Sequence, residues 1–310
     1  MRRKLTGIAL CISLLMSLTV AIAQPVERYS SKLGLTPSKQ IEFLNPEEGQ
    51  PLKLHVFMPE GYSEELKYPC VVLFFGGGWN GGTAEQFYGQ CGYLASRGMV
   101  AISAEYRVKK RYGTPPQVAA EDAKEAIRYI REHSSELGID PERIIAGGGS
   151  AGGHVAAAAA FCPKIDSNTA SPISPVPNGL ILYNAVYDNG PDGYGHGRVK
   201  KYWEDISPLH NIRPGLPPTL VLLGTNDRLI PVSTAEVFQE KMRAAGNECE
   251  TYFFEGQGHG FMNISKGGRE MFEATLVKTD AFLVKYGYLT GEDSVAEWTA
   301  KITRNLPRVK

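Results

Sequence analysis

AGGGSAGGH, residues Ala146–His154, packs five glycines around one serine and is followed closely by the alanine run 156–160. Three structures could need so much backbone freedom: a phosphate cradle, a plain turn, or a strained elbow that presents a nucleophile. Gly147, Gly149 and Gly152 satisfy G-x-G-x-x-G, but so do Gly76, Gly78 and Gly81. A dinucleotide site also wants an acidic residue about 20 positions on, where this chain has a Pro-rich stretch. No Gly-Lys-Ser/Thr follows, which removes the nucleotide-triphosphate loop. Gly148-Gly149-Ser150-Ala151-Gly152 is also G-x-S-x-G. In that turn the serine backbone is forced into strained φ/ψ between a strand and a helix, and small neighbours are needed because backbone approaches closely.

The segments around it alternate between strand and helix patterns. Short strands are expected at 41–44 and 52–57, and the apolar run Cys70 to Phe75 reads as a strand buried on both faces. Thr83 with Gln86 forms a capping-box pattern ahead of a helical stripe at Phe87, Cys91, Leu94 and Ala95, stopped by Gly98. Strands follow at 99–104, 143–146, 180–184, 219–224 and 250–254. Helices are expected at 117–136, 151–161, 232–245 and 268–286. Strands alternating with helices give a mostly parallel sheet covered on both faces, in one domain over 24–310. Two long irregular stretches, 163–177 and 188–218, interrupt the rhythm, and long loops tend to be functional.

Composition bounds the function. The 310 residues carry 33 Lys+Arg and 33 Asp+Glu, so nothing points to a nucleic-acid partner. Residues 1–23 read as a secretory signal peptide: a basic start, an apolar stretch Leu5 to Val20, and Ala21-Ile22-Ala23 as a cleavage site. The expectation is a secreted or periplasmic protein with no membrane attachment once that segment is removed. Cys70, Cys91, Cys162 and Cys249 are too few and scattered for a disulfide scaffold or zinc site, and could be paired or free. The histidines show no metal-ligand spacing, so no metal site is expected, and chemistry by a serine nucleophile would need no cofactor.

A serine needs a base, and the base needs an orienting group. Asp227 sits in the loop after the strand 219–224, and His259 in Gly256 to Phe261 after the strand 250–254. Sites in open α/β sheets lie at the C-terminal ends of strands, where Ser150, Asp227 and His259 all fall. Gly76-Gly77-Gly78 after the strand at 70–75 can aim backbone N–H groups at a carbonyl oxygen, together with the N–H of Ala151.

These motifs, with Glu105-Tyr106-Arg107, resemble the α/β-hydrolase superfamily, in its hormone-sensitive-lipase-like and bacterial sugar-ester and feruloyl-type esterase branch, over roughly 40–285. The resemblance implies Ser150 as nucleophile, His259 as base, Asp227 as its orienting group, and Gly77, Gly78 and Ala151 as the oxyanion hole. Two positions depart from the family pattern. Phe75 stands where the glycine loop usually begins with His, so its anchoring hydrogen bond must come from elsewhere. Gly149 stands where the lipase-like branch usually has Asp. His154, one turn after Ser150, reads as a packed helix residue, and Glu105, Tyr106 and Arg107 as ties at the sheet edge. Tyr187, Tyr194, Tyr202 and Trp203 could stack on a sugar or simply pack their loop. The expected substrate is a small-molecule or carbohydrate ester with a small acyl group, plausibly acetyl. A serine peptidase or amidase, and a silent hydrolase fold used for binding, are the rival readings.

Overall fold

A computed structural model describes residues 33–303. The segment read as a signal peptide and the basic tail 304–310 lie outside them. Eight strands form one sheet in the order β1-β2-β4-β3-β5-β6-β7-β8. They are β1 (Lys39–Leu44), β2 (Leu52–Phe57), β3 (Tyr68–Phe74), β4 (Val100–Ala104), β5 (Ile139–Gly149), β6 (Gly179–Tyr183), β7 (Thr219–Gly224) and β8 (Cys249–Phe254). β1 pairs antiparallel with β2, and β2 with β4; every other pairing is parallel. This is the α/β-hydrolase fold.

The continuous apolar runs become the inner strands. Val71 to Phe74, Leu180 to Tyr183 and Leu220 to Leu223 are almost wholly excluded from solvent, because helices cover both faces. One face carries α2 (Pro116–Glu132), α3 (Ala151–Phe161) and α4 (Val232–Ala244). The other carries α1 (Tyr88–Ser96), α5 (Ile264–Lys285) and α6 (Val295–Thr303). α2 lays Ala119, Ala123, Ile127 and Ile130 on the sheet, and Pro116 starts it without losing a needed N–H. α3 is buried along its whole length, so its run of alanines has no polar face to present. α5 is tied to α1 through Asp280, which accepts from Tyr93 Oη at 2.6 Å and Arg97 Nε at 2.7 Å.

The structure corrects several boundaries. β5 begins at Ile139, four residues before the expected start, since Ile139 already pairs with Tyr68. Thr83 makes no side-chain cap bond, and the chain first forms a 3-10 turn, Ala84–Phe87, before α1. α5 begins at Ile264 rather than 268 and is kinked at Gly268, whose φ is 72°. The loop 188–218 contains short helices at His196–Val199 and Trp203–Ile206. α6 was absent from the sequence reading. All four described cysteines are free and buried.

Candidate active site

β5 ends at Gly149 and α3 begins at Ala151, leaving one residue to turn the chain. That residue, Ser150, has φ 54° and ψ −121°, a conformation costing about 1–3 kcal/mol for a non-glycine residue. Neighbouring backbone holds it there. Ser150 N–H donates to Tyr183 O at 2.9 Å, while Ser150 O accepts from His154 N–H at 3.0 Å. The turn closes only because Gly152 has no side chain: a Cβ there would be driven into the Phe74 carbonyl oxygen. At Gly149, where the lipase-like branch carries Asp, the space beyond the Cα is filled by the Met262 methyl.

β7 and β8 deliver the other two groups. Gly224 runs close against Gln257, and Asn226 N–H donates to Gln257 O at 2.9 Å, stitching the two loops together. His259 Nδ1 lies 2.8 Å from Asp227 Oδ2, and His259 Nε2 lies 2.9 Å from Ser150 Oγ. A carboxylate only accepts, so Nδ1 carries the proton and Nε2 is left to accept from the serine hydroxyl. Asp227 Oδ1 takes the N–H groups of Leu229 at 2.8 Å and Ile230 at 3.0 Å. Burial would raise the Asp227 carboxyl; the bonds from His259, Ile230 and Leu229 outweigh it and hold it below the usual range. The carboxylate is therefore ionised and fixed behind the imidazole.

The glycine loop after β3 approaches the serine from the other side. Gly77 and Gly78 have φ of 133° and 62°, and both line a cavity of about 560 Å³ together with Ser150 and His259. Ala151 is the first residue of α3, so its N–H has no acceptor within the helix. These three N–H groups can serve a developing oxyanion.

The anchor that Phe75 cannot supply comes from three side chains. Gln86 Oε1 accepts the Gly76 N–H at 2.6 Å, which is why Gln86 does not act as a helix cap. Tyr106 Oη donates to Phe75 O at 2.7 Å, and its ring stacks on Phe75 at 4.2 Å. Arg198 Nη1 donates to Gly78 O at 2.6 Å, with the guanidinium over the Trp79 and Tyr194 rings at 5.0 and 5.2 Å. Gln86 and Arg198 were missed as site residues, because nothing local marks them; each acts across a fold contact. Asn184 was missed as well. It sits at the end of β6 with φ 36°, and its Nδ2 lies 3.4 Å from His259 Nε2 and 3.5 Å from Nδ1. A strand-end Asn is the signal that could have found it, since Asn tolerates that conformation.

The remaining singled-out residues have structural places. His154 is buried; its Nε2 faces Asn189 Oδ1 at 2.9 Å and Ile206 O at 3.1 Å. Glu105 accepts the Lys53 N–H at 3.0 Å, and Arg107 pairs with the buried Asp122. Of the loop aromatics, only Tyr194 lines the cavity. Tyr187 packs on Phe238 at 4.9 Å, and Trp203 against His210 at 4.8 Å. Among the described residues no cluster of His, Cys, Asp and Glu could hold a metal ion, and no helix is long and apolar enough to cross a membrane.

The chain is similar to known proteins. The BD-FAE family matches residues 54–189, and the dienelactone hydrolase family matches 194–283. Esterase LipC of Mycobacterium tuberculosis is 30% identical over 217 residues, which cover 62% of this chain and 53% of that protein. An acetylxylan esterase of Xylanibacter ruminicola is 26% identical over 235 residues, or 70% of this chain and 45% of that protein. The chain thus spans about half the length of these curated relatives. Thermogutta terrifontis esterase 2, in a structure phosphoramylated by tabun, superposes with a TM-score of 0.78 at 39% identity, covering 82% of this chain and 96% of that one.

Proposed function

Because the chain belongs to the α/β-hydrolase esterase family, we propose that it is a serine carboxylesterase, exported, cleaving small acyl groups such as acetyl from carbohydrate. The observation that carries the reaction is the continuous Ser150–His259–Asp227 hydrogen-bond line, 2.9 and 2.8 Å, opening onto a cavity beside the glycine loop.

Ser150 Oγ attacks the ester carbonyl carbon as its proton passes to His259 Nε2. Asp227 steadies the imidazolium through Nδ1. The carbonyl oxygen becomes an oxyanion facing the N–H groups of Gly77, Gly78 and Ala151. His259 then gives its proton to the departing alkoxide oxygen, and the C–O bond breaks. Water repeats the sequence on the acyl-serine: His259 takes its proton, hydroxide adds to the carbonyl, and Ser150 leaves with the proton returned. Each oxyanion-hole donor is worth about 10²–10³ in rate.

The small acyl group is supported by the Thermogutta terrifontis esterase 2 structures bound to propionate and butyrate, 38% and 37% identical to this chain. The sugar ester is supported by the acetylxylan esterase relative and by Tyr194 at the cavity wall. Export rests on the sequence of residues 1–23.

The test is p-nitrophenyl ester hydrolysis across acyl lengths, with wild type beside Ser150→Ala. Turnover that falls steeply beyond the short acyl chains and is lost in the variant supports the reading. Full activity in Ser150→Ala overturns the mechanism, and flat activity through long chains overturns the small acyl group.

A further inference from the structure

The reaction needs no charge on the substrate, yet the cavity is charged. Lys110, Arg198 and Lys266 line it, and no Asp or Glu does. Composition does not explain this, since the whole chain carries 33 acidic and 33 basic residues. Among the described residues none of the three cations forms an ion pair; the carboxylates pair elsewhere, with Lys53, Arg97, Arg107, Lys124, Arg128, Lys164, Arg269 and Lys285. Asp227 is turned away behind His259.

The three cations come from separate parts of the chain. Lys110 lies just after β4, on the short helix Lys109–Tyr112, whose Lys110 N–H is held by Asn80 O at 3.0 Å. Arg198 belongs to the loop after β6 and is fixed by the Gly78 carbonyl and two aromatic rings. Lys266 follows β8, with Nζ 3.4 Å from the carbonyl oxygen of His259 itself. A fixed guanidinium and two exposed ammonium groups lining one cavity make an anion-receiving wall, and its field is focused by the walls of the cleft. Arg198 adds little ordering cost, because it is already held.

We infer that the preferred substrates are esters bearing a carboxylate beyond the scissile group, with Lys110 and Lys266 as specificity-determining residues and Arg198 as the fixed part of the wall. This rests on the esterase reading. The carboxylate could sit on the alcohol half, as in an acetylated uronic acid, or on the acyl half, as in a half-ester of a dicarboxylic acid. The shared chemistry is the free carboxylate.

The experiment uses two matched pairs. Acetylated methyl galacturonoside is compared with its uronamide, and ethyl hydrogen succinate, whose acyl chain is no longer than butyrate, with its neutral amide. The kcat/KM ratio of acid to amide should be about tenfold or more at low salt in at least one pair, from two or three exposed ion pairs. It should shrink to about twofold near 0.5 M salt and in the Lys110→Ala/Lys266→Ala protein. Lys241→Ala on the remote α4 serves as the charge-loss control and should keep the ratio. Arg198 is left in place because it also holds the glycine loop. A preference in the first pair assigns the carboxylate to the alcohol half, and in the second to the acyl half. Ratios near one in both pairs, or a ratio untouched by the double substitution, overturn the inference. Calorimetric binding of the four compounds to Ser150→Ala reads the same preference without turnover. Absence of hydrolysis on all four therefore overturns the esterase reading alone.

Discussion

His154 makes the site acid-labile through a group that takes no part in the chemistry. It lies one turn after Ser150, and its own N–H binds Ser150 O. Its ring packs edge-on against Trp79, the residue after Gly76-Gly77-Gly78, at 4.9 Å. Nε2 faces two oxygens and so carries the proton, while Nδ1 is buried with no partner. Protonation would put a second N–H there with nothing to accept it. Burial therefore lowers its pKa from 6.5 to about 4, against the opposing bonds to Asn189 and Ile206. The sign follows from which state binds more protons. The unfolded histidine titrates near 6.5 and the folded one near 4, so stability is full above the unfolded value and is lost as pH falls between the two. The whole loss is about 3 kcal/mol, of which about 2 kcal/mol falls between roughly pH 7 and pH 5. Urea unfolding at those two pH values, wild type beside His154→Gln, measures it. Glutamine keeps a donor near the Nε2 position and removes the titration. The variant should be less stable at neutral pH but should lose about 2 kcal/mol less on acidification. An equal loss in both proteins refutes the reasoning.

Two other substitutions test how the site is held. Arg198→Met removes the bond to Gly78 O and the stack on Trp79 and Tyr194; kcat for a neutral ester should fall by roughly 10–100-fold with KM changed by less than about threefold, and Arg198→Lys should restore part of it. An unchanged kcat would falsify the positioning role. Gly152→Ala drives a Cβ into the Phe74 carbonyl, where backbone faces backbone and nothing flexible can yield. It should destabilise the fold by more than about 3 kcal/mol or leave it insoluble, and a melting temperature close to wild type would contradict the tight elbow.

The outline of this site was legible because strand ends converge. Ser150, Asp227 and His259 lie far apart in sequence, but each follows a strand pattern, and neighbouring parallel strands bring their C-terminal ends to one edge of the sheet. The elbow was legible because close backbone approach demands glycine. The supports were not legible. Gln86 carries a capping pattern with Thr83, yet the Gly76 N–H competes for the same oxygen and wins. Arg198 sits in a loop whose course depends on where Trp79 and Tyr194 pack. Asn184 has no motif, only a place at the end of β6. α6 was missed because among the described residues it follows another helix rather than a strand, outside the alternation that marks the other helices, and its packing depends on the distant contact of Trp298 with Tyr93 at 5.7 Å.

The strand order also fixes when the reactive centre can come into being. Synthesis supplies the glycine loop after β3 first and the serine elbow next, both following inner strands. Asp227 and His259 follow β7 and β8, the last two strands of the described chain, and β8 is the outer one. A nascent chain that has emerged only to residue 224 can build the elbow but has neither base nor carboxylate to activate it. Reactivity is thereby deferred until the sheet is complete, and no fragment released earlier in synthesis can carry it.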